Sequence, residues 1–146
     1  MNLKRMEEEM MTNKDLMIGD YVDAEFTVNG TEMKPGYFKI TELTESWCRV
    51  DTDEGYTFTL DYMMVKPKPL TKEIVEKNMS RYVQNLEVYS INGLMVNFDD
   101  KYDDIDIGTI GNGIWGDEFQ YFSTIGSVHE LQHAMKLFGI EKELKI

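Results

Sequence analysis

An α+β fold built mostly of antiparallel strand is what this chain predicts, with a small barrel in its first half and hairpins plus a C-terminal helix in its second. Three observations carry that expectation. Asn29-Gly30 and Asn92-Gly93 each separate two strand-like runs, and Asn-Gly suits the tight turn whose two central residues both need positive φ. Pro67-Lys68-Pro69 forbids a helix and forces an extended segment near the middle of the chain. Ser127–Gly139 reads as a helix with a start signal and a stop signal.

Taken in order, residues 1–15 predict a flexible polar arm, because the run Glu7-Glu8-Glu9 offers no apolar face. The fold is expected to start near Leu16. Residues 16–66 then show closely spaced strands: Tyr21–Val28, Tyr37–Leu43, Trp47–Val50 and Tyr56–Leu60, with turns at Asn29-Gly30, Pro35-Gly36 and Asp51–Gly55. Such spacing predicts a small antiparallel barrel, and Gly19-Asp20-Tyr21-Val22 at its opening is similar to SH3-like folds.

Pro67–Leu70 is the expected boundary between the halves, and 67–146 the second. Thr71 is a good N-cap for a short helix over 71–78. Leu86–Ile91 and Leu94–Phe98 make a hairpin, and an acidic loop at Asp99–Asp104 leads to Ile105–Ile107. After a glycine-rich turn, Glu118–Ile125 is a further strand, and a helix follows over 127–138. Leu144–Ile146 is expected to close as an edge strand.

Bulk properties narrow the function classes. With 146 residues, 42% hydrophobic and 12% aromatic, the chain can bury a core without disulfides. A net charge of -12 argues against a phosphate-backbone binder, whose affinity comes from clustered Lys and Arg. It fits solubility, or an acidic decoy that occupies a basic partner surface. Cys48, the single cysteine, reads as a small buried thiol. The N-terminus lacks an apolar run of signal-peptide length and no stretch is long enough to span a bilayer, so the cytoplasm is the expected compartment.

His129-Glu130-Leu131-Gln132-His133 matches the H-E-x-x-H pattern of zinc hydrolases and holds both histidines of the chain. In that reading His129 and His133 are metal ligands and Glu130 the general base, with a third ligand to come from Glu141, Glu143 or Asp117. A structural account covers more residues. Ser127-Val128-His129-Glu130 is a capping box, in which Glu130 reaches back to the amide of Ser127. Gly139 suits the left-handed C′ position, and Ile140 can fold back onto Met135. At about 100° per residue from Val128, the histidines fall near 100° and 140°, while Leu131, Met135, Phe138 and Ala134 cluster between about 240° and 340°. Both imidazoles are therefore expected toward solvent or a shallow groove.

Other patterns carry less. Gly111-Asn112-Gly113-Ile114-Trp115-Gly116 spells G-x-G-x-x-G, but no helix opens within it, so a hairpin loop carrying Trp115 is expected instead. Asp99, Asp100, Asp103, Asp104 and Asp106 lack the order of a calcium loop. Tyr56, Phe58, Tyr62, Trp115, Phe119, Tyr121 and Phe122 are expected mostly in the core, or else on an exposed face that forms a peptide groove.

Gly19–Val22, Lys39-Ile40 with Leu43, Pro67–Asn78, Val128–Ala134 and Gly139–Glu143 together carry a resemblance. On them the chain resembles a group of small uncharacterised proteins of gut Bacteroidota and their phages or mobile elements, from about Leu16 onward. That resemblance implies a cytoplasmic bacterial or phage accessory protein and transfers no activity. The expected function is a non-catalytic interaction module that binds another protein, with no cofactor, no nucleic acid and no membrane. The alternatives are a zinc-dependent hydrolase at His129, Glu130 and His133, and the acidic decoy.

Overall fold

A computed structural model describes residues 11–99, 104–114 and 116–146. The fold is α+β and mostly antiparallel strand, and the chain divides into two compact units between Lys68 and Pro69. The break falls inside the proline-rich segment, where a backbone that can neither coil nor donate every amide separates the two cores.

In the first unit, β1 (Tyr21–Ala24), β4 (Phe38–Leu43), β5 (Trp47–Thr52), β6 (Thr57–Asp61) and β7 (Val65–Lys66) form one sheet in the order β6-β5-β4-β1-β7. The chain meanders from β4 to β6, makes a single 3₁₀ turn at Tyr62–Met64, and returns to pair β7 with β1. This is the strand order of an SH3-like half-barrel. Alternation supplies its core: Cys48 and Val50 on β5 are fully buried beside Ile40, Val22 and Leu60. Burial also pushes the Cys48 thiol up to about 11, so the side chain serves as a neutral filler.

The strand expected across Tyr21–Val28 is broken at Glu25-Phe26. Beyond the break, β2 (Thr27–Val28) and β3 (Thr31–Glu32) make a separate two-stranded ribbon. Asn29 at φ 52° and Gly30 at φ 80° form its turn. Phe26 leaves the strand to stack against Phe38 and Phe58, at ring separations of 5.7 and 5.0 Å. Aromatic burial outweighs continuation of a ladder there.

Met11 is buried in this core with Leu16, and Thr12–Asp15 close a turn through Asp15 N to Thr12 O at 3.1 Å. The described chain is thus engaged at Met11, ahead of the expected start at Leu16. The remainder of the expected arm, residues 1–10, lies outside the described residues.

The second unit is a plain meander, β12-β11-β10-β9-β8, with two helices. Its strands are β8 (Arg81–Val83), β9 (Val88–Ile91), β10 (Leu94–Asp99), β11 (Asp104–Gly113) and β12 (Gly116–Ile125). Asn92 at φ 46° and Gly93 at φ 90° turn β9 into β10, as the dipeptide requires. Helix α1 (Lys72–Asn78) is capped by Thr71, whose hydroxyl accepts from Ile74 N at 3.2 Å. Leu70 N donates to Gly126 O, and Pro69 bridges Ser127, so the segments leading into α1 and into the second helix, α2 (Val128–Leu137), run side by side.

The expected edge strand at Leu144–Ile146 does not form. That segment is held by a side chain instead. Asn78, fully buried at the end of α1, donates to Lys145 O at 2.8 Å and accepts from Lys145 N at 2.7 Å. No helix among the described residues is long and apolar enough to cross a membrane.

Candidate functional site

Helix α2 holds the residues that the zinc-hydrolase pattern singles out. Its cap forms as a capping box with one change of partner. Ser127 Oγ accepts from Glu130 N at 3.4 Å, while Glu130 Oε1 receives the Ser127 hydroxyl at 2.8 Å and the amide of Gly126, not of Ser127, at 3.2 Å. The C-terminus closes as a Schellman motif: Ile140 N donates to Met135 O, Gly139 N to Lys136 O, and Gly139 stands at φ 70°.

His129 corrects the expectation that both imidazoles face outward. It is only 7% exposed, and its Nδ1 lies 3.0 Å from Ser127 Oγ. Because Ser127 gives its one proton to the Glu130 carboxylate, His129 Nδ1 carries the hydrogen in that contact. A helical wheel counts directions around one helix but not the chain beside it, and here Pro69-Leu70 runs alongside Gly126-Ser127 at the start of α2. His133 is half-buried, its ring 5.6 Å from that of His129.

These groups do not fit a resident zinc. Glu130 Oε1 already takes two donors, and Glu141, Glu143 and Asp117 are exposed. Among the described residues no three His, Cys, Asp or Glu side chains are grouped to hold a metal ion.

The glycine-rich stretch is hairpin, and more of it is strand than expected. β11 runs on to Gly113 and β12 begins at Gly116, with no helix after them. Gly108 sits at the bulge, where a Cβ would collide with the main-chain carbonyl of Gln120. Trp115 and Asp100–Asp103 lie outside the described residues. Asp106 accepts from the Thr124 hydroxyl at 2.7 Å, a cross-strand contact.

Two surface features remain. One is a cleft of about 110 Å³ lined by Lys72, Tyr82, Glu87, Tyr89, Asn97 and Phe98. Tyr89 stands between Tyr82 and Phe98, at ring separations of 5.0 and 6.1 Å. Its hydroxyl donates to Glu76 Oε1 at 2.7 Å, and that bond, with partial burial and the nearby Glu76 and Tyr82 charges, pushes its phenol up to about 12. Organic cofactor sites run to several hundred Å³, so this cleft has room for one small polar group.

The other is β12. It is an edge strand ten residues long, and Tyr121 and Phe122 are 63% and 60% exposed. Phe122 is the extra residue of the β-bulge, since Tyr121 opposes Gly108 and Ser123 opposes Ile107, so strict alternation lapses between the two rings. Ile114 at the hairpin tip is 94% exposed. Here the expectation of aromatics mostly in the core fails, as it does for the exposed Tyr56, while Tyr62 is buried and Phe58 and Phe119 half-buried.

Sequence reasoning missed Tyr82, Asn78 and the openness of β12. Tyr82 belongs to the three-residue β8, too short for periodicity to register. Comparison of the chain with protein-family models, curated sequences and solved structures gives no match.

Proposed function

We propose that this chain is a non-catalytic protein-interaction module that works in the cytoplasm as a bacterial, phage or mobile-element accessory protein. One observation supports the reading above the others: among the described residues β12 is a ten-residue edge strand with Tyr121 and Phe122 exposed at its β-bulge. Exposed backbone amides and carbonyls on such an edge are a template for another chain. Natural edges are often blunted by Lys, Pro, brevity or a bulge; β12 has no Lys or Pro and is ten residues long, and its one such device is the bulge at Phe122. The acidic surface disfavours nucleic acid as the partner.

A photo-crosslinking residue placed at Tyr121, and separately at the exposed Leu137 on α2, tests the reading inside producing cells. The expected result is a discrete protein adduct from position 121 and none from 137. Absence of any adduct at 121, or the same adducts from both positions, removes the case for β12 as the interaction surface.

A further inference from the structure

Within β12 the charges are unevenly placed. Asp117 and Glu118 stand at its beginning, and the six residues Phe119–Thr124 that follow have neither charge nor proline. An uncharged β-forming run of that length on an open edge is what natural sequences interrupt when the edge is to stay bare. The hairpin as a whole carries Asp104, Asp106, Asp117 and Glu118, and no Lys or Arg occurs anywhere from Asp104 to Met135. Asp104 and Asp106 lie on β11, the latter engaged by Thr124, which leaves the strand-opening Asp117 and Glu118 as the charge the edge strand offers to a partner.

We infer that β12 accepts an extended segment of another protein by strand addition, and that the segment carries two consecutive basic residues where it passes Asp117 and Glu118. This rests on the interaction reading above and names its partner. The doublet follows from strand geometry: Asp117 and Glu118 project to opposite faces, so matching both takes one Lys or Arg per face at adjacent positions. Tyr121 and Phe122, exposed at the bulge, take β-branched or apolar neighbours from the added segment. Antiparallel pairing is the more stable ladder, and it sets the basic doublet at the C-terminal end of the segment.

A second copy of this chain is a poorer occupant. Each copy carries -12, and neither hairpin supplies a cation to the other's Asp117 and Glu118. Charge complementarity points instead to a basic strand, with attraction that falls as salt rises.

The probe is the capped peptide Thr-Thr-Val-Val-Thr-Val-Lys-Arg, titrated into the full chain while backbone amide signals are followed by NMR. Two further peptides serve as controls, one ending in Glu-Glu and one N-methylated at alternate residues so that it cannot complete a ladder. The expected result is amide shifts confined to Asp117–Ile125, affinity about ten-fold weaker for the Glu-Glu peptide, and a steep loss between roughly 50 and 500 mM salt. The N-methylated peptide is expected not to bind, nor the parent peptide to the variant Phe122→Glu.

No shift along β12, shifts elsewhere, or equal binding of the Lys-Arg and Glu-Glu peptides overturns the inference. If the peptide fails while position 121 still crosslinks to a protein, the interaction reading stands and the basic-strand partner falls. Sedimentation showing a dimer that Phe122→Glu dissociates has the same meaning, with a second copy as the occupant.

Discussion

Asn78 and Lys145, separated by 67 residues of chain, are joined by two hydrogen bonds from one side-chain amide to one backbone residue. Asn78 Nδ2 donates to Lys145 O, Oδ1 accepts from Lys145 N, and a third bond runs from Nδ2 to Ile74 O at 2.7 Å within α1. The side chain thereby supplies what a neighbouring strand would supply. Lys142 Nζ adds a bond to the Asn78 carbonyl at 2.7 Å, and Leu144 between them is buried.

Replacing Asn78 is therefore expected to cost more than an exposed helix-end substitution. Asn78→Ala leaves buried backbone groups without their partner, a penalty of about 1–3 kcal/mol. Asn78→Asp keeps the acceptor but cannot donate to Lys145 O or Ile74 O, and should be destabilising too. Urea unfolding of both variants checks this; stabilities equal to the parent would show that the clamp contributes nothing.

The cap of α2 separates a structural Glu130 from a catalytic one. Glu130 Oε1 accepts from the Gly126 amide and the Ser127 hydroxyl, and a glutamine oxygen can do the same. Glu130→Gln is expected to stay within a few tenths of a kcal/mol of the parent, and Glu130→Ala to lose roughly 1 kcal/mol. Ser127→Ala should lose at least as much, because it also removes the contact to His129 Nδ1. Thermal melts decide; an unchanged melting temperature in Glu130→Ala would contradict the cap.

Tyr89 gives a pH signature. Its phenol titrates at about 12, against an ordinary value of 10.0, chiefly because it donates to Glu76. A raised folded-state value means that the stability from this group is fully present below pH 10 and is lost as pH rises through about 12. Ultraviolet titration of the phenolate band should show, on going to Glu76→Gln, one tyrosine moving down toward 10. An identical titration curve in the variant would show that the Glu76 bond does not set the value.

Turn and cap chemistry was legible in the residues because each device spans only a few positions. Asn29-Gly30 and Asn92-Gly93 tolerate positive φ, Thr71 and Ser127 satisfy the first amides of their helices, and Gly139 ends α2. The Pro67–Pro69 break belongs with them, since it acts through the local backbone. The β4-β5-β6 meander of the first unit follows from its short connections, whereas β7, which returns to pair with β1, was not among the expected strands.

What the tertiary structure decided is everything that depends on residues arriving from far along the chain. Phe26 left its strand for Phe38 and Phe58, and Asn78 found Lys145. His129 was buried although its place on the helical wheel pointed it away from the apolar face. Tyr121 and Phe122 are exposed, at a bulge in β12 that no local pattern announces. Periodicity states which residues share a face. Whether anything packs on that face depends on which other elements arrive there, and local pattern carries no term for that.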